Sequence, residues 1–272
     1  MRRWETIAGA SPNASYPEPV GTMLDPVALA AIAVTFLFAG AVKGVIGLGL
    51  PTVSLGLLTM VLDLPTAMAL LIVPSFATNV WQALAGGHGR TLVRRLWPFL
   101  CAAAATVWIG ASALTRVDLA LLSGLLGVLL MAYSALSLGG FSVAIPARRE
   151  AWAGPLFGAV NGILTGMTGA SLVPGVIFLQ GIGLARDLLV QALGMLFLVS
   201  TVALAIALHG NSLLTPTLGA VSAGAVLPAA IGMAAGQQIR RGLSESRFRR
   251  AFFIAVFLLG AGIIAKAAAG TH

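Results

Sequence analysis

The chain has 272 residues, of which 58% are apolar and only 9% are charged, and its formal net charge is +8. Soluble domains carry about 25% charged residues, so this composition excludes a soluble globular protein. The positive charge does not indicate a nucleic-acid partner, because the arginines lie in short gaps between apolar stretches and not on one basic face. The composition therefore predicts an integral membrane protein, surrounded by the lipid bilayer.

Residues 1–26 are predicted to form a flexible N-terminal tail. Arg2, Arg3, Glu5 and Glu18 are scattered through this tail, and no apolar core follows the two arginines. A cleaved signal peptide would need such a core. We therefore expect the first hydrophobic segment itself to direct the chain to the membrane.

Ten apolar pieces follow the tail. A membrane-spanning helix needs about 20 mostly apolar residues. The pieces fall at 27–47, 51–62, 64–85, 96–114, 119–138, 153–168, 171–183, 184–208, 214–235 and 251–269. Pieces 51–62 and 171–183 are short, and their length leaves open whether they span or re-enter. The pattern predicts an all-α polytopic membrane protein with about eight to ten transmembrane or re-entrant segments.

The two groups of five pieces resemble each other. Gly40-Ala-Val-Lys-Gly44 recurs about 120 residues later as Gly158-Ala-Val-Asn-Gly162. A repeat of this length indicates duplication of half a domain and not a short solenoid unit. We therefore predict a first transmembrane repeat at 27–139, a basic cytoplasmic linker at 140–152 and a second repeat at 153–269.

The distribution of arginines predicts the orientation. Arg90, Arg94 and Arg95 mark one loop as cytoplasmic, whereas the corresponding loop of the second half, 209–214, has no Lys or Arg. The next pair of loops reverses this order, since 237–250 holds five arginines. Equivalent loops thus face opposite sides, which predicts inverted-topology repeats. In a bacterial inner membrane, both termini would be periplasmic.

Each repeat contains a segment interrupted by glycine and proline, at 44–54 and at 162–174. A helix break frees backbone N–H and C=O groups, which are tolerated at membrane depth only where they line a cavity or are buried in protein. Matching breaks in two halves indicate a substrate site formed by broken helices near the midplane. The alternative is that these glycines allow helices to pack closely.

The motifs at these positions resemble the TauE/SafE family of sulfite and organosulfonate exporters. The resemblance rests on Gly40-x-x-Lys43-Gly44-x-x-Gly47-x-Gly49, on Val73-Pro74-Ser75 with Asn79 and Gln82, and on the spaced glycines from Gly158 to Gly166. Many family members carry a glycine triplet before a proline in each half, and this chain has Leu50-Pro51 and Ala170-Ser171 instead. The resemblance implies a transporter whose cargo is a small anion such as sulfite or a sulfonate.

The candidate substrate-binding residues are the polar side chains and glycines at or near the breaks. Freed N–H groups and hydroxyls suit an anion where water is scarce. An ionisable residue inside an apolar segment is a functional candidate, although a lysine near a helix end can also reach the interface. The candidates are Lys43, Gly44, Gly47, Gly49, Thr52, Ser54, Asn79, Gln82, Asn161, Gly162, Thr165, Gly166, Thr168, Gly169, Ser171 and Gln191.

Asn79 and Gln82 are three residues apart and so share one helix face. Amides are costly in lipid, so we expect them to point inward, with Ser75 and Thr78 close by. A hydrogen bond between helices is as consistent with their placement as contact with a substrate is. Gln191 and the Ser200-Thr201 pair in the second half have the same two interpretations.

No carboxylate lies in the middle of an apolar segment, where coupled carriers often keep one. This favours an exporter or facilitator of a small anion. A proton-coupled uptake permease and a non-transporting membrane subunit are the alternatives, and coupling to a proton or cation and a homodimer are left open. The three histidines lie far apart, so we predict no catalytic residue, metal site or cofactor.

Overall fold

The computed structural model describes residues 25–141, 143–240, 242 and 244–269. Most of the predicted N-terminal tail lies outside these residues. The described chain is helical throughout and contains no strand. The helices are α1 (Pro26–Ile46), α2 (Leu50–Thr59), α3 (Leu64–Leu84), α4 (Gly89–Ala111), α5 (Leu119–Leu138), α6 (Ala147–Thr168), α7 (Gly175–Gly181), α8 (Arg186–Gly210), α9 (Pro216–Gly224), α10 (Val226–Ile239) and α11 (Glu245–Ala268), with a 3₁₀ turn at Ser112–Thr115.

Seven helices of the described chain are long and apolar enough to cross a membrane. They are α1, α3, α4 with its 3₁₀ turn, α5, α8, the continuous pair α9–α10, and α11 from Ser246. Helix α6 is equally long but less apolar, because four glycines and Asn161 lie in it. Helices α2 and α7 have only 10 and 7 residues. The predicted all-α multi-pass fold is confirmed.

Three helices begin six or seven residues before the predicted apolar pieces. Helices α4, α6 and α11 start at Gly89, Ala147 and Glu245, whereas hydropathy placed their starts at 96, 153 and 251. Each extension carries arginines, which is why the hydropathy pattern did not include it. The helix continues for one or two turns beyond the apolar segment. Arg95 on α4 pairs with Glu150 on α6, with nitrogen–oxygen distances of 2.7 and 2.8 Å.

Both predicted breaks follow a glycine in the left-handed backbone region. Helix α1 ends before Gly47, with φ of 78°, and α6 ends before Gly169, with φ of 74°. Each glycine N–H caps its helix by donating to the carbonyl four residues earlier, at Lys43 and Thr165 respectively. Side-chain-bearing residues rarely adopt this conformation. The two halves therefore end their first helix by the same device.

Stripes of glycine bring two pairs of helices into backbone contact. On α6, Gly158, Gly162 and Gly166 face α4, and a Cβ added to Gly162 would lie 2.2 Å from the Ala103 carbonyl oxygen. On α1, Gly44 faces α10 in the same way, with the Met233 carbonyl oxygen 2.2 Å from an added Cβ. Spaced small residues allow such close approach in membrane helices.

The pairing of the helices is compatible with the predicted repeat, which stays a prediction. Helix α1 packs on α10, and its counterpart α6 packs on α4, while α3 packs on α8 and α5 packs on α11. Exchange of the two halves would leave this set of pairs unchanged. The inverted orientation of the halves across the membrane stays a prediction.

Pro74 interrupts the hydrogen bonding of α3, and a neighbouring helix repairs it. Proline has no N–H, so the Leu70 carbonyl loses its partner within the helix. Ser222 on α9 donates to that carbonyl at 2.7 Å and accepts from the Val73 N–H at 3.1 Å. This buried hydroxyl satisfies two backbone groups and fixes α9 against α3.

Candidate functional site

Lys43 is buried inside the helix bundle, with a side chain only 3% exposed. Its ammonium donates to the Thr78 hydroxyl at 3.1 Å and to the Asn79 side-chain oxygen. The Asn79 amide in turn donates to the Thr201 hydroxyl on α8 at 3.4 Å. The network therefore joins α1, α3 and α8, and Lys43 does not reach the interface as an exposed lysine would.

Lys43 has no carboxylate within 4.0 Å among the described residues. Buried charges are ordinarily paired or hydrogen-bonded, and here neutral oxygens alone serve Lys43. An ammonium group has three donors, and two of them are used by Thr78 and Asn79. This arrangement leaves one donor of the Lys43 amino group without a partner in the described chain.

A cavity of about 500 Å³ reaches Lys43 from the arginine-rich end of the bundle, and we call it the lysine cavity. It lies between α1, α3, α8 and α10. Its lining includes Lys43, Gly44, Gly47, Gln82, His88, Arg186, Asp187, Gln191, Gln237 and Arg240. Five of the predicted site residues thus line a single space. Its lining contains four basic side chains and one carboxylate.

The amide of Gln82 ties the first break to α8. Its Nε2 donates to the Gly47 carbonyl at 2.9 Å and to the Val190 carbonyl at 2.8 Å. Its Oε1 is buried and has no partner in the described chain. The amide of Gln191 donates to the Ala83 carbonyl at 2.8 Å. Both glutamines therefore make contacts between helices, and both line the lysine cavity.

Asn161, Thr165 and Ser171 come together at the second break. Asn161 accepts from the Gly175 N–H at 3.2 Å, and the Thr165 and Ser171 hydroxyls are 2.8 Å apart. These bonds hold the end of α6 to the start of α7. The second break therefore uses neutral hydrogen bonds where the first uses Lys43.

Several other predicted residues have packing or local roles. Gly162 and Gly166 lie at the contact with α4, as the close-packing alternative described. Thr168 and Ser54 bond to carbonyls of their own helices. The remaining residues are Gly49, which precedes α2, Gly169, whose added Cβ would meet Met68 and Leu55, and Thr52, whose buried hydroxyl has no partner in the described chain.

The sequence did not assign Arg186 or Arg240 to the site. Both line the lysine cavity, but arginines between apolar segments predicted only orientation. Ser75 and Ser200 were noted without being assigned, and both have buried hydroxyls that lack a partner in the described chain. Ser75 and Ser200 lie close in sequence to Thr78 and Thr201, which belong to the Lys43 network. Two hydroxyl groups without a partner therefore lie on the same helices as this network.

These features define a multi-pass membrane protein with a buried lysine that lines a cavity near a helix break. The family model for the sulfite exporter TauE/SafE matches residues 32–263, and the chain belongs to that family. Membership implies a membrane transporter of the sulfite- or anion-exporter type. Neither the curated proteins nor the solved structures yielded a match.

Proposed function

We propose that the chain is a secondary transporter that carries a small anion out of the cell across a bacterial inner membrane and binds it at Lys43. The cargo class is sulfite, a sulfonate or a related organic acid. One observation carries the proposal: a buried lysine without a described carboxylate partner lines a cavity of about 500 Å³. An anion in this cavity would supply the missing charge.

The surrounding groups suit an anion rather than a cation. Thr78 and Asn79 orient the amino group of Lys43. Arg186 and Arg240 also line the cavity and raise the local concentration of anions. The single lining carboxylate, Asp187, lies beside Arg186 in sequence.

The membrane potential favours outward movement. With the inside negative, a monoanion gains about 2.3 kcal/mol per 100 mV on leaving the cell. An exporter or facilitator therefore needs no coupling residue, whereas an uptake permease must work against this energy. The positive-inside rule predicts that the lysine cavity opens to the cytoplasm, the side from which an exported anion would enter.

Flux from proteoliposomes tests the proposal. Vesicles are loaded with radiolabelled sulfite, an organosulfonate or a small carboxylate, and efflux is followed with an inside-negative potassium diffusion potential. We expect efflux of at least one of them to rise with the potential and Lys43→Gln to abolish it. Lys266→Gln is the matched control, because the only other lysine of the sequence bonds to the Thr59 carbonyl far along α11.

Three results would decide against the proposal. Equal efflux from Lys43→Gln and from the unaltered protein would remove Lys43 from the site. Accumulation driven by a pH gradient, without any response to the potential, would identify a proton-coupled uptake permease. Absence of flux for every anion, with correctly inserted protein, would favour a non-transporting subunit.

A further inference from the structure

A second cavity lies next to the lysine cavity, at the same arginine-rich end, and we call it the arginine cavity. Its volume is about 570 Å³, and Arg186, Arg240 and Arg249 line it. None of its described lining residues is acidic. The two cavities share Arg186, Val190 and Arg240, so they adjoin at this wall.

Part of the lining of the arginine cavity is apolar and aromatic, and we call this part the aromatic wall. The guanidinium carbon of Arg249 lies 5.9 Å from the ring centroid of Phe253, and Phe253 meets Tyr133 edge-on at 5.4 Å. Leu136, Phe141 and Ile177 complete this wall. Arg249 is thus held above an aromatic surface, and positive charge and apolar area face the same space.

The volume of the arginine cavity is about 570 Å³. Sites of about 300–1,000 Å³ hold organic ligands with an apolar body. A ligand with one anionic group and an apolar body would match both the positive charge and the aromatic wall of this cavity.

We propose that the arginine cavity is a second ligand site, separate from Lys43, which binds a soluble organic anion with an aromatic or alkyl body. The site goes beyond the proposed transport, since binding here requires no crossing of the membrane. Its wall in common with the lysine cavity puts a bound anion beside the approach to Lys43. Arg249 is the specificity-determining residue, because it lines this cavity alone.

Equilibrium dialysis of the purified protein in a nonionic detergent tests the site, with radiolabelled benzoate as the probe and protein-free micelles as the blank. Benzamide has the same body without the charge, and acetate has the charge without the body. We expect saturable benzoate binding that unlabelled benzamide and acetate displace at least about tenfold less well than unlabelled benzoate does. Equal displacement by all three would overturn the proposal.

Two neighbouring arginines supply matched variants. Arg249→Gln is expected to raise the Kd for benzoate about tenfold or more, the scale of one lost charge-assisted hydrogen bond. Arg250→Gln removes the same charge from the next residue of α11, which does not line the cavity, and should change the Kd less than about twofold. Arg249→Lys should recover part of the affinity. Equal effects of the two glutamine variants would refute the site.

Two further measurements separate the proposal from its rivals. Lys43→Gln should leave benzoate binding within about twofold of the unaltered protein, because Lys43 lies in the other cavity. A large loss in this variant would assign the probe to the lysine cavity. In nanodiscs, displacement of benzoate by added phosphatidylglycerol would assign the arginine cavity to a lipid headgroup and overturn the soluble-anion proposal. Failed transport with intact benzoate binding would leave this site standing.

Discussion

The side chains of Gln82 and Gln191 cross-link α3 and α8 in opposite directions. Gln82 donates to the carbonyl of Val190, the residue before Gln191, and Gln191 donates to the carbonyl of Ala83, the residue after Gln82. The two bonds are each 2.8 Å long. The pair forms a nearly symmetric clasp between corresponding helices of the two halves.

Loss of either glutamine should destabilise the bundle. Gln82→Leu leaves the Gly47 carbonyl without this partner, and an unsatisfied buried group costs about 1–3 kcal/mol. The substitution also removes the bond from α3 to the Val190 carbonyl on α8. We expect a lower unfolding temperature in detergent, and a double variant with Gln191→Leu that loses less than the sum of the two single changes. Gln238→Leu on the exposed face of α10 is the control and should have little effect. Strictly additive losses would contradict a shared clasp.

Asn79→Asp should inactivate transport without unfolding the protein. The substitution is nearly isosteric and puts a carboxylate at the atom that accepts from the Lys43 ammonium. The new ion pair would supply the charge that we assign to the substrate, so anion flux should fall by an order of magnitude or more while the unfolding temperature is kept. Flux from proteoliposomes measures the effect.

Asn211→Asp is the control for this change. Asn211 bonds to the Ala207 carbonyl at the far end of α8, away from Lys43. The Asn211→Asp variant carries the same added charge as Asn79→Asp and should transport the anion normally. Full flux in Asn79→Asp would mean that Lys43 does not meet the anion.

Gly162→Ala should separate α6 from α4. The added Cβ would lie 2.2 Å from the Ala103 carbonyl oxygen, so the two backbones must move apart. Overpacking of this kind costs typically about 1–3 kcal/mol. Gly219→Ala on α9 has nothing within 4 Å of its added Cβ and should leave stability unchanged or raise it. Thermal unfolding in detergent compares the two, and equal unfolding temperatures would count against the close contact.

Cysteine labelling tests the inverted orientation of the halves. Cys101 is the only cysteine of the chain, so Cys101→Ser gives a background without thiols. Arg90, in the first turn of α4, and Ser212, in the turn after α8, are both exposed and lie at corresponding ends of the two predicted halves. A membrane-impermeant maleimide applied to intact spheroplasts should label Ser212→Cys, and it should label Arg90→Cys only after permeabilisation. Labelling of both from the same side would exclude inversion.

Hydropathy was a good guide to the spanning cores and a poor guide to helix ends. Helix α5 covers 119–138 as predicted, since its apolar run stops at both ends. The start of α4 was placed seven residues late, because the arginines that precede its apolar run continue the helix into the polar region. The predicted piece 214–235 is in fact two helices that meet at Ala225.

The contacts within the site were beyond the reach of sequence patterns. Lys43 and Asn79 were both identified as candidates, but they lie on different helices, and no local periodicity shows which helices are neighbours. Gly162 was assigned to substrate binding because it recurs near a break. Its close approach to α4 depends on helix pairing that only the structure provides. The roles of the candidates in binding stay predictions.

The glycine stripes have a mechanical consequence. Helices α4 and α6 touch along their backbones, as do α1 and α10, so neither pair can slide without collision of main-chain atoms. Closely packed elements change position in discrete steps and not by continuous deformation. If a rearrangement exposes Lys43 to one side of the membrane and then to the other, we expect each helix pair to move as one rigid body. Gly47 and Gly169, which follow α1 and α6 and precede the short helices α2 and α7, are the expected hinge positions.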